Sequence, residues 1–211
     1  MISANAPACA MDPAIAGIDE VGRGCLAGPV FAAAVVLGPG SRIVGLNDSK
    51  KLGARQRVTV AAEVRATSVA WAIGRAEVEE IDQLNILQAT FLAMRRAVGA
   101  LSRPAQVCWV DGNQDPGLGL PLRLIVGGDA LEPCIMAASI VAKVARDQEM
   151  ERLAIRYPEY GFEQHKGYGT PAHLAALRRF GVSPLHRLSF APCAEAMERG
   201  ASPHGERDVA A

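Results

Sequence analysis

The sequence is poor in aromatic residues, in paired cysteines and in long apolar runs. Phenylalanine, tyrosine and tryptophan make up 5% of its 211 residues, so alanine, valine, leucine and isoleucine must fill the core. The five cysteines are odd in number and none forms a C-x-x-C pair, which argues against a disulfide framework and a thiolate zinc site. The longest wholly apolar run, Val30–Leu37, is far below the roughly 20 residues of a membrane-spanning helix.

Net charge, a targeting signal and the common phosphate-binding motifs are also missing. The 22 basic and 22 acidic residues balance, so binding to a polyanion must depend on local clusters of arginine and lysine. The first residues, MISANAPACAMD, have neither a basic region nor an apolar core, which predicts a cytoplasmic protein without a membrane partner. No G-x-x-x-x-G-K-[ST] loop occurs, and a strand rather than a helix follows Gly22-x-Gly24, which disfavours a dinucleotide site.

A single domain is predicted between two short tails. Residues 1–12 and 200–211 show no apolar periodicity and are predicted to be flexible. Residues 13–199 are predicted to form one domain, whose C-terminal part, from about residue 157, is helical. The elements follow the order strand, strand, helix, strand, helix, strand, strand, helix, which is typical of an α/β protein with a mixed sheet and helices on its faces.

Several of these elements have clear local signals. Ile15–Val21 and Pro29–Leu37 are joined by a short glycine-rich loop, which predicts an antiparallel pair. Within Val78–Leu101, apolar residues at Ile86, Leu87, Phe91, Met94 and Val98 predict an amphipathic helix with Asn85 as a candidate cap. Pro133 is predicted to begin a long helix, and Thr170 is predicted to cap a later one.

Carboxylates stand next to glycine at the ends of three apolar runs. Asp19 and Glu20 precede Gly22, Asp111 precedes Gly112, and Asp129 follows Gly128. Functional groups gather where the strands of an α/β sheet end, so the four carboxylates are predicted to meet in one pocket. Asp19 and Glu20 would point to opposite faces of a regular strand, so the strand must end or twist there.

Four neighbouring carboxylates would repel one another, and divalent cations between them would relieve the repulsion. Ligands that offer only oxygen suit Mg²⁺ or Mn²⁺, and two such ions roughly 3.5–4 Å apart can support in-line displacement at phosphorus. No Ser-His or Cys-His arrangement suggests a protein nucleophile. His165, His173 and His186 are at no metal-ligand spacing and are predicted to be packing or surface residues.

Six motifs, taken in order, resemble the type 2 ribonuclease H family, also called ribonuclease HII. They are GIDEVGRGCLAGPV, LNDSKKL, WVDGN, GGD followed by AASIVAKVARD, HKGYGTPAH, and HRLSF. The resemblance implies a ribonuclease H-like fold: a mixed five-stranded sheet flanked by helices, with a small helical C-terminal part. It also implies an endonuclease that cleaves the RNA strand of RNA–DNA hybrids. Such an enzyme would also nick a DNA duplex on the 5′ side of an embedded ribonucleotide, leaving a 3′-hydroxyl and a 5′-phosphate.

The resemblance further implies roles for individual residues. Asp19, Glu20, Asp111 and Asp129 match the four catalytic and metal-binding acids, with two Mg²⁺ or Mn²⁺ ions in the catalytic complex. The remaining matches are predicted substrate contacts. They are Gly22-Arg23-Gly24 as a clasp around the ribonucleotide, Tyr168 stacked on its sugar, and Ser49 and Lys50 near a phosphate. Lys143 and Arg146 are further candidate phosphate contacts.

Two positions depart from the family pattern, and two other functions stay open. Cys25 stands where the family usually has proline, and Gly127 stands where a lysine is common. The alternatives are a nuclease of the same fold that acts on branched DNA, and a nucleic-acid binder without activity. The second alternative should have lost acids, yet all four are present. The protein is predicted to act as a monomer.

Overall fold

The computed structural model describes residues 14–199, which are built around one five-stranded mixed sheet. The predicted tails, residues 1–12 and 200–211, lie outside these described residues. The strands are β1 (Ile15–Val21), β2 (Val30–Val36), β3 (Ala70–Ala76), β4 (Val107–Asp111) and β5 (Leu122–Ile125). In the sheet order β3-β2-β1-β4-β5, the pairs β1–β2 and β2–β3 are antiparallel, and the pairs β1–β4 and β4–β5 are parallel. The predicted fold class is confirmed.

Helices cover both faces of the sheet and form the C-terminal part. They are α1 (Ala54–Thr67), α2 (Val78–Leu84), α3 (Ile86–Gly99), α4 (Gly128–Leu131), α5 (Pro133–Arg156), α6 (Phe162–His165), α7 (Pro171–Phe180) and α8 (Ala191–Glu198). Pro133 begins α5 and Thr170 caps α7, as predicted. Within residues 14–199, no helix combines the length and apolarity that crossing a membrane requires.

Small residues allow the helices to pack closely on the sheet. Every residue of β2 is buried, because α3 covers one face and α1 and α5 cover the other. A Cβ atom on Gly17 would lie 2.1 Å from the backbone of Cys134 in α5. On the other face, a Cβ on Gly74 would lie 2.1 Å from the Ala93 carbonyl in α3. The core is therefore filled by small side chains and by close approach of the helix and strand backbones, and it needs few aromatic residues.

The segment Val78–Leu101 forms two helices, where the sequence predicts one helix with Asn85 as its cap. Asn85 has a φ angle of 71°, which a continuing helix cannot accommodate, and it separates α2 from α3. The predicted cap is nevertheless confirmed. The Asn85 side-chain oxygen accepts hydrogen bonds from the backbone nitrogens of Leu87 at 3.0 Å and Gln88 at 3.1 Å.

Two histidines are buried in the C-terminal part, where they link two chain segments. His186 Nδ1 accepts a hydrogen bond from the backbone nitrogen of Ser183 at 2.9 Å, so its proton must lie on Nε2. That Nε2 is 3.1 Å from His173 Nε2, which therefore accepts, and His173 Nδ1 donates to the Tyr168 carbonyl at 2.9 Å. The chain of bonds requires both rings to be neutral. Of the two predicted roles, packing or surface, the structure shows packing for both histidines.

We expect the histidine pair to make the protein less stable below neutral pH. Burial lowers the pKa of His173 to about 4 and that of His186 to about 3. The unfolded chain takes up protons near pH 6.5 while the folded chain does not, so stability is full above pH 6.5 and falls as the pH approaches 4. At pH 5 the loss is on the order of 2 kcal/mol for each histidine.

Urea unfolding of the parent and of His173→Gln at pH 7 and pH 5 measures this effect. The variant should lose less free energy of unfolding between the two pH values than the parent, whatever its stability at pH 7. An identical pH dependence in the two proteins would show that His173 does not carry the effect.

Candidate active site

A cavity of about 340 Å³ opens where β1 and β4 end. All four predicted acids line it, as do all but one of the predicted substrate contacts. These residues are Asp19, Glu20, Gly22, Arg23, Gly24, Ser49, Lys50, Asp111, Asp129, Lys143 and Tyr168. Segments far apart in the sequence therefore reach one place, as the pattern of carboxylates at the ends of apolar runs predicts.

Asp19 and Glu20 reach the cavity from opposite faces of β1. Asp19 pairs across the sheet with Ala33, which belongs to the core under α5, and its carboxylate is hydrogen-bonded by Ser139 of that helix. Glu20 pairs with Ala32, which belongs to the core under α3. Because β1 ends one residue later, at Val21, the longer Glu20 side chain can turn around the strand end into the same cavity.

Asp111 and Asp129 are held by the turn between β5 and α4. Asp111 is the last residue of β4, and its Oδ1 accepts a hydrogen bond from the Gly128 backbone nitrogen at 2.7 Å. Asp129 lies in the first turn of α4 rather than directly at a strand end. Gly127 precedes this helix with a φ of 71°, so glycine suits the turn at the position where the family often has lysine.

The electrostatics of the acids reflect burial and mutual repulsion. Asp19 is 5% exposed, and burial, followed by the charge of Glu20, raises its pKa well above the usual value. Burial also raises the pKa of Glu20, although the nearby Arg23 guanidinium partly offsets the shift. The protein therefore compensates the negative charges of Asp19 and Glu20 only in part.

Two basic side chains already contact the acids. Lys50 Nζ lies 2.9 Å from Asp129 Oδ2, and Arg23 Nη1 lies 3.3 Å from Glu20 Oε1. Across residues 14–199, no three Asp, Glu, His or Cys side chains are spaced closely enough to hold a metal ion as they stand. The assignment of the four acids as metal ligands stays a prediction.

Arg146 is the predicted substrate contact that the structure places elsewhere. Its side chain is fully buried, and its guanidinium donates to the carbonyls of Pro29 at 3.0 Å, Ala27 at 3.1 Å and Lys166 at 2.8 Å. The expected phosphate contact is wrong, because these bonds direct the guanidinium toward the protein interior. Lys143, one helical turn earlier, lines the cavity and pairs with Asp147 at 2.7 Å.

The sequence interpretation missed two polar residues of the cavity. Ser139 bonds Asp19 and lies 3.1 Å, oxygen to oxygen, from the Ser49 hydroxyl. Arg57 lies in α1 and donates to the Ser49 carbonyl at 3.1 Å, which supports the loop that carries Lys50. Ser139 belongs to the AASIVAKVARD motif, so that motif could have identified it as a site residue. Nothing in the sequence distinguishes Arg57 from other helical arginines.

Sheet order, strand directions and an acidic cavity where β1 and β4 end define a protein of the ribonuclease H-like class. The solved structure of ribonuclease H2 from Pyrococcus horikoshii OT3 superposes with a TM-score of 0.75 at 26% identity, over 88% of this chain and 97% of that one.

Sequence comparison identifies the family within that class. The Ribonuclease HII family model matches residues 16–193. The ribonuclease HII of Nitrosospira multiformis is 58% identical over 88% of this chain and 93% of its own length. That of Bordetella pertussis is 56% identical over 84% of this chain and 89% of its own length. The chain belongs to the ribonuclease HII family, and it is a hydrolytic endonuclease that acts on RNA–DNA hybrids.

Proposed function

We propose that the cavity cleaves the phosphodiester on the 5′ side of a ribonucleotide, in RNA–DNA hybrids and at single ribonucleotides embedded in duplex DNA. The products are a 3′-hydroxyl and a 5′-phosphate. The observation that carries the proposal is the meeting of four carboxylates with the Gly22-Arg23-Gly24 clasp and Tyr168 in one cavity. The acids supply a place for the reacting phosphate, and the clasp and Tyr168 supply a place for the sugar.

The acids fit divalent cations by their chemistry. All four are oxygen donors, as Mg²⁺ and Mn²⁺ require, and the raised pKa values of Asp19 and Glu20 mark negative charge that a cation would offset. Asp19, Glu20, Asp111 and Asp129 would hold two ions. Bound there, such ions would activate water and stabilise the leaving oxygen. When the cations bind, Lys50 would leave its ion pair with Asp129 and contact a substrate phosphate.

The residues around the acids account for recognition of the sugar. Arg23 and Gly24 are exposed, so the clasp is open to a ligand. A Cβ on Gly24 would meet nothing within 4 Å, which leaves the backbone there free to approach a sugar edge. Tyr168 is 40% exposed, and its ring can pack on a ribose. Contact at the 2′-hydroxyl is what separates RNA from DNA at a single nucleotide.

A paired-substrate nicking assay tests the proposal. One DNA duplex carries a single ribonucleotide and its twin is entirely deoxy, and each is incubated with Mg²⁺ or with Mn²⁺. We expect one nick in the first duplex, on the 5′ side of the ribonucleotide, and none in the second. The 3′ end of the product should be a substrate for ligation and should be unchanged by phosphatase. Both results identify a 3′-hydroxyl.

The same assay separates the alternatives. Equal cutting of both duplexes, or preferential cutting of an all-deoxy four-way junction, would favour a nuclease for branched DNA. Binding of the ribonucleotide duplex without any cutting in either metal would favour a non-catalytic binder. Action as a monomer and a cytoplasmic location stay predictions. In residues 14–199 all four cysteines are free and buried, which is compatible with a reducing compartment.

A further inference from the structure

The loop that carries the clasp is held by two segments from the C-terminal part. On one side, the backbone nitrogen of Leu26 donates to the Gly167 carbonyl at 2.8 Å. On the other side, the Gly28 nitrogen donates to the Leu185 carbonyl at 2.8 Å, and the Arg187 nitrogen donates to the Leu26 carbonyl at 2.9 Å. The loop is therefore a strand-like insert between chain segments that follow it by about 140 and 160 residues.

Arg187 bonds the clasp directly through its side chain. The residue is fully buried, and its Nη1 donates to the carbonyl of Arg23, the middle residue of the clasp, at 2.9 Å. Its Nε and Nη2 both donate to the Gly28 carbonyl, at 3.0 Å and 2.7 Å. One planar guanidinium thus fixes the distance between the clasp and the end of its loop.

The charge of Arg187 is costly where it lies. Burial lowers the pKa of Arg187 to about 10, and within residues 14–199 no carboxylate forms an ion pair with its guanidinium. Its partners are carbonyl groups and the ring of Phe190, 5.3 Å away. A buried cation with neutral partners carries a large desolvation penalty, which apolar packing at the same place would avoid. An apolar side chain at this position could not fix the Arg23 and Gly28 carbonyls as the Arg187 guanidinium does.

We propose that Arg187 is a positioning residue for ribonucleotide recognition, acting through the Arg23 carbonyl to hold the clasp in its binding shape. The inference rests on the proposed function of the clasp. Arg187 does not line the cavity, so it contributes through the loop and not by touching substrate. The clasp has little support of its own, since its internal backbone bond, from the Cys25 nitrogen to the Gly22 carbonyl, is long at 3.4 Å.

The test compares Arg187→Lys with the parent on the duplex that carries one ribonucleotide. Lysine keeps the charge but cannot bridge two carbonyls with a planar fork. We expect KM to rise at least tenfold while kcat stays within threefold, because the four acids are untouched. Hydrogen exchange of the peptide that spans residues 23–28 should also become faster. Arg95→Lys is the control for an arginine-to-lysine change away from the site, since the exposed Arg95 donates to the Pro116 carbonyl at 2.7 Å and does not line the cavity.

A folded Arg187→Lys variant with unchanged KM and unchanged exchange would overturn the inference. If this variant fails to fold, Asp82→Ala decides instead. The Asp82 carboxylate accepts from the backbone nitrogens of Leu188 and Ser189, both at 2.9 Å, and so anchors the segment next to Arg187 from the protein surface. A threefold or larger rise in KM would support the inference, and an unchanged KM would reject it. Failure of the parent to distinguish the two duplexes would instead reject the proposed function.

Discussion

Asp111→Asn is expected to lower kcat by about a thousandfold or more while the protein stays folded. The Asp111 Oδ1 accepts the Gly128 backbone hydrogen bond at 2.7 Å, and the oxygen of an asparagine side chain can accept the same bond. The variant therefore keeps the turn that holds Asp129. It loses one negative charge at the place where the proposed cations bind, and with that charge the chemistry should fail.

Melting temperatures with and without chelator separate this catalytic role from a structural one. In chelator, the variant should melt no lower than the parent, because one repulsive charge beside Asp19 and Glu20 is gone. Added Mg²⁺ should raise the melting temperature of the parent more than that of the variant, through preferential binding to the folded protein. A variant that is much less stable in chelator would identify Asp111 as a structural residue, and unchanged turnover would remove it from the active site.

Gly22→Ala is expected to destabilise the protein by about 3 kcal/mol or more and to abolish activity. Gly22 has a φ of 95°, a conformation that disfavours any residue with a Cβ. The added atom would also lie 2.1 Å from Arg146 Nε, and that guanidinium cannot move without giving up its bonds to three carbonyls. Urea unfolding and the nicking assay measure the two losses.

Gly24→Ala is the matched control two residues away. Its φ is not in the left-handed region, and an added Cβ would meet no protein atom within 4 Å. The melting temperature should therefore stay within about 2 °C of the parent, as for an ordinary surface substitution. The KM for the ribonucleotide duplex should nevertheless rise about tenfold, because the methyl group occupies the approach of the sugar to the backbone. Full activity of this variant would place the sugar elsewhere.

Much of the site could be anticipated because it depends on local signals in the chain. Asp19, Glu20 and Asp111 stand at or next to strand ends, and the parallel pairing of β1 with β4 brings those ends together. Successive residues of a strand face opposite sides of the sheet, so the sequence also predicts that Asp19 and Glu20 point to opposite faces. Glu20 must therefore turn around the end of β1 to reach the cavity. Thr170, Pro133 and Asn85 act as helix-start residues for reasons contained in a few neighbouring residues.

The role of the buried arginines could not be anticipated in the same way. Arg146 has the sequence context of a helix-surface residue, and only the path of the loop that carries Ala27 and Pro29 shows that its guanidinium lies inside. The short helix α2 was not predicted separately, because the cap at Asn85 and the apolar spacing after it indicate only α3. Neither the burial of Arg146 nor the separate helix α2 is recorded in the apolar periodicity of the sequence.

The bonds between Arg187 and the Arg23 and Gly28 carbonyls have a consequence for how the enzyme is made. The ribosome releases the glycine-rich loop long before it releases residue 187, which is about 160 positions later in the chain. Closing such a distant contact is slow compared with local helix formation. A nascent chain would therefore complete its core sheet first, and the clasp would gain its proposed shape for ribose only after residue 187 has been made.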